Sequence, residues 1–512
     1  MVLLPDWVAQ GLALLATVFI VAIGLFVATI LVMYIVDATQ RKDAVRHNYP
    51  VLGRFRYLFM FLGEFFRQYF FAMDREEMPF NRAQREWVYR AAKNKGMTIA
   101  FGSTKSLNTV GSYIFTSCAF APLDVDAAET QVVRLGPYCR QPFDAPSIFN
   151  ISGMSYGAIS KPAVRALSHG AAKAGCWLNT GEGGLSPYHL EGNADIVFQI
   201  GTAKYGICKD DGSLDDDKLK SIAALDQVKM FELKLSQGAK PGKGGILPAD
   251  KVSADIARIR GIKEGEASIS PNRHPEISNV YELLDFINHV RDVSGKPVGF
   301  KTVIGSSDWI EEMCKEIHKR GIECAPDFIT VDGGDGGTGA APMSLMDNVG
   351  LVLKEALPLI SDTLHKYGLR DRIRIVASGK LINPADVAWA LCTGADFVTS
   401  ARGFMFALGC IQSLKCNKNT CPTGVATHQK HLQAGLNPAD KAVKVAHYAQ
   451  NVKREVEVIA HSCGVLEPRQ LRRKHVRIVQ DTGLSVAMDR LYPRPDVVAE
   501  FEGKDAQKGK VA

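Results

Sequence analysis

Residues 7–36, WVAQGLALLATVFIVAIGLFVATILVMYIV, carry no charge. About 20 apolar residues are enough to cross a bilayer core, so this run predicts a transmembrane helix over 7–36. Arg41, Lys42, Arg46, Arg54 and Arg56 follow it. The positive-inside bias then places the rest of the chain in the cytoplasm, as a single-pass membrane protein. A cleaved signal peptide competes, but it wants a basic start and a shorter apolar core. The only charged side chain before the run here is Asp6. Residues 57–71, YLFMFLGEFFRQYFF, are aromatic-rich yet carry Glu64 and Arg67. They either lie along the membrane surface or pack as a buried helix against the main domain. Residues 37–140 as a whole read as a membrane-proximal helical and linker region, with Arg82, Arg85 and Arg90 on a solvated face.

Over 141–480 the pattern changes to short apolar runs, each followed by a Gly-rich or polar loop and then a helical stretch. The expected strands are 147–152, 176–180, 195–200, 231–236, 297–303, 327–333, 373–378 and 396–401. The clearest helices are 157–174, 280–293, 307–320, 346–366 and 384–394. Strand and helix in strict alternation imply a parallel sheet. The fold expected is α/β: a (β/α)8 TIM barrel preceded by an N-terminal transmembrane helix and a short helical region. A doubly wound open sheet is the competing arrangement. Residues 481–512 turn polar and charged and are expected to fray.

The 46% hydrophobic content of 512 residues supports a sizeable core and excludes a mostly disordered protein. A net charge of +7 is mild for this length and argues against a nucleic-acid binder. Eleven Cys, an odd number at low density, suit a reducing compartment. Barrel chemistry sits on loops after the C-terminal ends of strands. Gly-rich segments fall there: SGMSYGAIS (152–160), NTGEGG (179–184), QGAKPGKGGILP (237–248), GGDGGTGAAP (333–342), SGKLINPADV (378–387) and ARGFMFALGC (401–410).

Residues 334–339 match GxGxxG, but the next strand begins only at Ile373, so a dinucleotide fold is disfavoured. The SGK and ARG turns after the last two strands suit a phosphate-bearing cofactor, most naturally FMN; two tight turns with helix caps are the plain alternative. Lys301 ends an apolar strand, where it stabilises a reduced flavin or is simply solvated. Cys410-x5-Cys416-x4-Cys421-Pro422 is the strongest single signal. Close thiolates select an iron–sulfur cluster or zinc, and buried free thiols remain a third reading. Zinc wants four ligands, and His428 is the near candidate for the fourth. Glu182 suits a proton donor or an orienting carboxylate, while Lys240 and Arg260 suit a clamp on an acidic substrate. A catalytic role is one reading of His274, but a loop His is more often structural or exposed, and it is left out of the site.

MSYGAIS, NTGEGG, FQIGTAKYG, KLSQGAKPGKGGILP, SISP, DGGTGAAP and GCIQSLKCNKNTCPTGVAT, in this order over about 145–430, resemble the synthase domain of glutamate synthase. With NYPVLGRFRYLF and PFNRAQREWVYRAAK after the anchor, the chain resembles the membrane-tethered FMN-binding glutamate synthase family proteins. The resemblance implies FMN and a [3Fe-4S] cluster on Cys410, Cys416 and Cys421. It implies that Gln199 and Lys301 touch the flavin ring, and that Ser152, Met154 and Thr180 line its face. Gly379 and Gly403 would hold the phosphate, with Asp335, Gly336 and Lys380 in the same cofactor-binding set. Glu182, Gln237, Lys240 and Arg260 would surround the 2-oxo acid. The implied reaction joins ammonia to 2-oxoglutarate and reduces 2-iminoglutarate to L-glutamate, with electrons from ferredoxin or an NAD(P)H-linked donor. An amidotransferase domain is not expected here, so ammonia would come from solution or a separate amidotransferase. Gly334 stands where the family commonly has His, and Lys243 where it commonly has Glu. A related oxidoreductase on another 2-oxo acid or amine, or an electron-transfer subunit of a membrane complex, are the alternatives.

Overall fold

In the computed structural model, residues 5–128 and 130–501 are described. Of the expected polar tail, 502–512 lie outside them. The chain divides between Ala83 and Gln84 into two compact units.

The first unit is built on a helix α1, Asp6–Thr39. Its apolar window has mean hydropathy 2.8 with none of it buried. At 1.5 Å per residue it is about 50 Å long, ample for a bilayer, although a signal sequence meets the same test of length and composition. A short helix α2, Ala44–Asn48, and a longer α3, Leu52–Phe66, follow. Asp37, fully buried, joins all three. It accepts from Arg46 Nε at 2.9 Å, Arg54 Nε at 2.7 Å and Nη2 at 2.8 Å, and the Val51 amide at 3.2 Å. Two guanidiniums converging on one carboxylate fix the corner in a single geometry.

The second unit is a closed parallel barrel of eight strands in sequential order. The strands are β1 Phe149–Ile151, β2 Leu178–Asn179, β3 Ile196–Ile200, β4 Val228–Lys234, β5 Val298–Thr302, β6 Phe328–Asp332, β7 Arg374–Ser378 and β8 Phe397–Ser400. Each falls on a run expected from the sequence, and pairing of β8 with β1 excludes the open sheet. The strands are buried on both faces, which is why they read as continuous apolar runs.

Side chains alternate between the barrel interior and the surrounding helices. One interior layer is apolar: Trp177, Val197, Met230, Phe328, Val376 and Phe397. Gly299 makes room in it, since a Cβ there would lie 2.5 Å from the Phe328 ring. A hairpin of Val133–Leu135 and Phe143–Ala145 closes this end, adding Leu135, Phe143 and Ala145 to the same cluster. Two residues further along each strand the interior turns polar, with Asn179, Gln199, Glu232, Thr330 and Thr399 all buried.

The outer helices include α4 Lys161–Ala174, α5 Val280–Ser294, α6 Asp308–Arg320, α7 Leu353–Lys366, α8 Pro384–Thr393 and α9 Arg402–Leu408. A further helix α10, Pro438–Ser462, packs on α4, where Gly170 admits the Val445 side chain. Its Tyr448 is buried against Phe149 and Phe404 and donates to the Ile382 carbonyl at 2.8 Å. Tyr113–Phe115, Val476–Val479 and Ser485–Ala487 form an antiparallel sheet. The chain therefore does not fray at 480: Ser485–Ala487 is paired and Met488 is buried. Arg85, expected in solvent, is also buried.

Candidate active site

The loops after the strand ends surround an open cavity at the barrel mouth. It brings together Ser152, Gln199, Gln237, Lys301, Gly336, Gly379 and Lys380 of the residues expected from sequence. Lys234, Asp332 and Arg402 line it as well.

Its floor is organised by Glu232. One carboxylate oxygen accepts from Gln199 Nε2 at 2.6 Å and Asn179 Nδ2 at 2.8 Å, and the other from the Thr330 hydroxyl at 2.6 Å. Gln199 and Glu232 are register partners on β3 and β4, so both reach the same interior layer. With Nε2 committed downward, Gln199 keeps its carbonyl oxygen as an acceptor beside Gly153. The Lys301 ammonium lies 3.4 Å from Asp332, whose Oδ2 also accepts from the Gly238 amide at 2.9 Å. Thr399 Oγ1 is buried with no partner among the described residues.

At one end of the cavity stand the turns after β7 and β8. Lys380 lies 3.7 Å from Asp335. Burial pulls the Arg402 guanidinium down to about 10, against the pull of Asp335 and Asp332, so it stays charged at neutral pH. Asp335 itself is turned toward the Leu353 amide at 3.4 Å. Gly403 sits behind the lining, where a Cβ would meet the Tyr448 hydroxyl and Ser400. Met154 and Thr180 are buried beside the mouth. Thr180 Oγ1 is occupied, accepting from the Gln199 amide at 3.0 Å and donating to Gly181 O at 2.9 Å.

The other side carries a cationic cluster around Glu182. Lys234 Nζ lies 2.9 Å and Lys240 Nζ 4.0 Å from its Oε1. Lys234 also donates to Gln237 Oε1 at 2.9 Å, and Gln237 donates to Gly337 O at 2.9 Å. Arg260 is buried, donating to Tyr156 O at 3.1 Å, with its Nε lacking a partner among the described residues. Burial raises the Glu182 pKa, but Lys234, Lys240 and Arg260 outweigh it and hold the carboxyl at about 2. Glu182 therefore remains a carboxylate at neutral pH, accepting from Lys234. Burial lowers the Lys240 pKa, Glu182 opposing. Three cations against one anion suit a dianionic acid. Lys243 is exposed and stands apart from the cluster. Gly334 is a packing position: a Cβ there would come within 2.3 Å of Gly350 O, so no larger side chain fits.

The cysteine loop follows α9. Gln412, Leu414 and Asn419 take left-handed backbone conformations, which curl the chain tightly between Cys410 and Cys421. The Gln412 amide donates to Cys410 Sγ at 3.4 Å. Burial raises the Cys421 pKa, but the Thr423 hydroxyl and nearby backbone amides outweigh it and draw the thiol below its ordinary value. Burial pushes Cys410 up to about 12. Lys251, buried, donates to Cys416 O at 2.7 Å and Ala426 O at 3.0 Å, tying both ends of the loop together. No three His, Cys, Asp or Glu side chains among the described residues are gathered as a metal-ion site. His428, the candidate fourth zinc ligand, turns Nε2 to Gly157 O at 2.8 Å. His274, left out of the expected site, is buried with Nε2 on the Lys234 carbonyl at 3.1 Å, directly behind the cluster.

Lys234, Glu232, Asp332 and Lys251 were not evident as site residues in the sequence, whereas Arg402 lies in the ARG turn that was. The signal for Lys234 and Glu232 lay in period two: a charged residue inside a strand buried on both faces must point into the barrel.

The model for the conserved region in glutamate synthase matches residues 108–466. The chain belongs to the glutamate synthase family. A glutamate synthase large subunit-like protein, YerD, of Bacillus subtilis (strain 168) is 39% identical over 499 residues, covering 90% of this chain and 94% of that protein. An archaeal-type glutamate synthase [NADPH] of Dehalococcoides mccartyi (strain ATCC BAA-2266 / KCTC 15142 / 195) is 32% identical over 336 residues, covering 65% of this chain and 63% of that one. Among solved structures, a mandelate oxidase with (S)-4-hydroxymandelic acid is 14% identical at a TM-score of 0.45, covering 77% of this chain and 99% of that one. So low a likeness adds nothing to the barrel already traced. Family membership makes the chain an oxidoreductase of glutamate synthase type.

Proposed function

We propose that this chain is a membrane-anchored FMN and iron–sulfur oxidoreductase that reduces the imine of 2-oxoglutarate and ammonia to L-glutamate. The observation that carries this reading is one cavity with a polar floor, a cationic turn at one end, and Lys234 and Gln237 at the other, where Lys234 pairs with Glu182 behind the lining. The lining fits FMN: Gln199 offers an acceptor, Thr399 Oγ1 lacks a partner among the described residues, and Lys380 and Arg402 bring two cations to the turns after β7 and β8. When bound, FMN supplies the hydride.

The protein's own work is binding and charge. Lys240 and Arg260 hold the carboxylates of the oxo acid, and Lys234 stands ready to donate a proton to its C2 substituent. Glu182, 2.9 Å from the Lys234 ammonium, keeps it aimed. Cys410, Cys416 and Cys421 would supply the three sulfur donors of a [3Fe-4S] cluster, and the Gln412 amide is directed at Cys410 Sγ. Ferredoxin or an NAD(P)H-linked donor supplies electrons, and ammonia comes from solution or a separate amidotransferase.

Protein purified without oxygen should be yellow, contain iron, and give an electron-spin-resonance signal that Cys416→Ser removes. The reduced protein should reoxidise on adding 2-oxoglutarate with ammonia and form glutamate. Reoxidation by a different oxo acid or amine alone would replace the substrate; protein lacking both flavin and iron would end the proposal.

A further inference from the structure

The aromatic stretch after the first helix is not covered by the described residues of its own unit. Leu52–Phe66 and the wider turn Arg67–Phe71 form one helical rod, about 30 Å long. Phe59 is 64% exposed, Phe61 70% and Phe71 74%, and Leu58 and Met60 between them are also exposed. Consecutive residues lie 100° apart on a helix, so 58–61 present apolar surface on every side. A helix apolar all round is a helix covered by something other than water.

The Asp37 corner says what covers it. Residues 7–36 carry no charge, so the first charged layer after the apolar run is Asp37 with Arg46 and Arg54. Arg54 belongs to the first turn of α3. The end of α1 and the start of α3 therefore stand at one level, the headgroup level of the leaflet where α1 ends. From there 57–71 carries as charges only Glu64 and Arg67, and Arg67 Nε folds back onto Gly63 O at 3.2 Å. Tyr57 and Tyr69 add rings with polar tips, suited to the membrane–water boundary.

We propose that residues 57–71 are a second membrane element, embedded in the interfacial part of the bilayer beside α1. This rests on α1 being a retained span. The bilayer is preferred to a second copy of the chain because the Asp37 corner already holds the helix at the lipid surface.

The test uses the full chain in phospholipid nanodiscs with p-benzoylphenylalanine replacing Phe61, in a second sample Met60, and in a control Phe19 within α1. Irradiation and mass spectrometry identify the adducts. Lipid adducts at 19 and at 61 or 60 are expected. A lipid adduct at 19 with peptide cross-links or no adduct at both 61 and 60 overturns the inference and leaves the span standing. An interchain cross-link at 61 assigns the surface to a second copy. No lipid adduct at 19 or at 61 removes the span, and this inference with it.

Discussion

Glu232 offers a quantitative test of the barrel floor. Replacing it with Ala strands three donors, from Asn179, Gln199 and Thr330, inside the barrel. Each hydrogen bond to a charged group is worth about 1.5–3 kcal/mol, and each abandoned buried donor costs about 1–3 kcal/mol. Removing the carboxylate itself opens room beside Asn179, Gln199 and Thr330, so water can enter and recover part of the loss. The expected destabilisation is about 3–5 kcal/mol for Glu232→Ala. Glu232→Gln keeps an oxygen for Asn179 and Gln199 and offers an N–H to the Thr330 oxygen, so only charge assistance is lost, about 1–2 kcal/mol. Urea unfolding followed by tryptophan fluorescence reads both, with Trp177 in the layer below. Flavin retention is the second readout: Glu232→Ala frees the Gln199 amide and should release flavin, whereas Glu232→Gln should keep it. Equal damage from the two variants, or less than about 1 kcal/mol from Ala, would refute a floor built on this carboxylate.

Lys234→Met should raise the Glu182 pKa toward its ordinary range and cut turnover at least about tenfold, with fold and flavin content unchanged; unchanged turnover would remove Lys234 from the site. Burial holds the His189 and His274 imidazoles down near 4, against an ordinary value of 6.5. A depressed pKa means the folded state resists protonation, so their contribution is complete above pH 6.5 and is lost as pH falls toward 4. The Glu182 contribution is complete above pH 4.5 and is lost toward pH 2. Melting temperatures recorded from pH 8 to 3 should therefore begin to fall near 6.5, and a flat profile down to 4.5 would contradict the buried imidazoles. Gly334→Ala should cost about 1–3 kcal/mol, because its Cβ must displace the Gly350 carbonyl; a neutral effect in thermal unfolding would show that the 343–352 loop yields freely.

The barrel was legible because each parallel strand, buried on both faces, leaves an apolar run, as in Phe328–Asp332. Other parts left no local trace. The hairpin strands Val133–Leu135 and Phe143–Ala145 are too short for a period to register. Tyr113–Phe115 gains its meaning only by pairing with Val476–Val479, far along the chain. The long helix Pro438–Ser462 is rich in charge, and its buried stripe is visible only once Val445 and Tyr448 meet their partners. At the site, the glycine loops announced themselves. Glu232 and Lys234 did not, because charges within an apolar run look like strand residues until the register sets them beside Gln199 and Lys301 on the adjacent strands.

The hairpin 133–145 turns a tube into a cup. With its far end stoppered by Leu135 and Phe143, the barrel has a single rim, and anything reaching the polar floor must come and go over it. Reactant and product then share one doorway. A spent molecule lingering there blocks its successor, so inhibition by product should compete directly with the oxo acid.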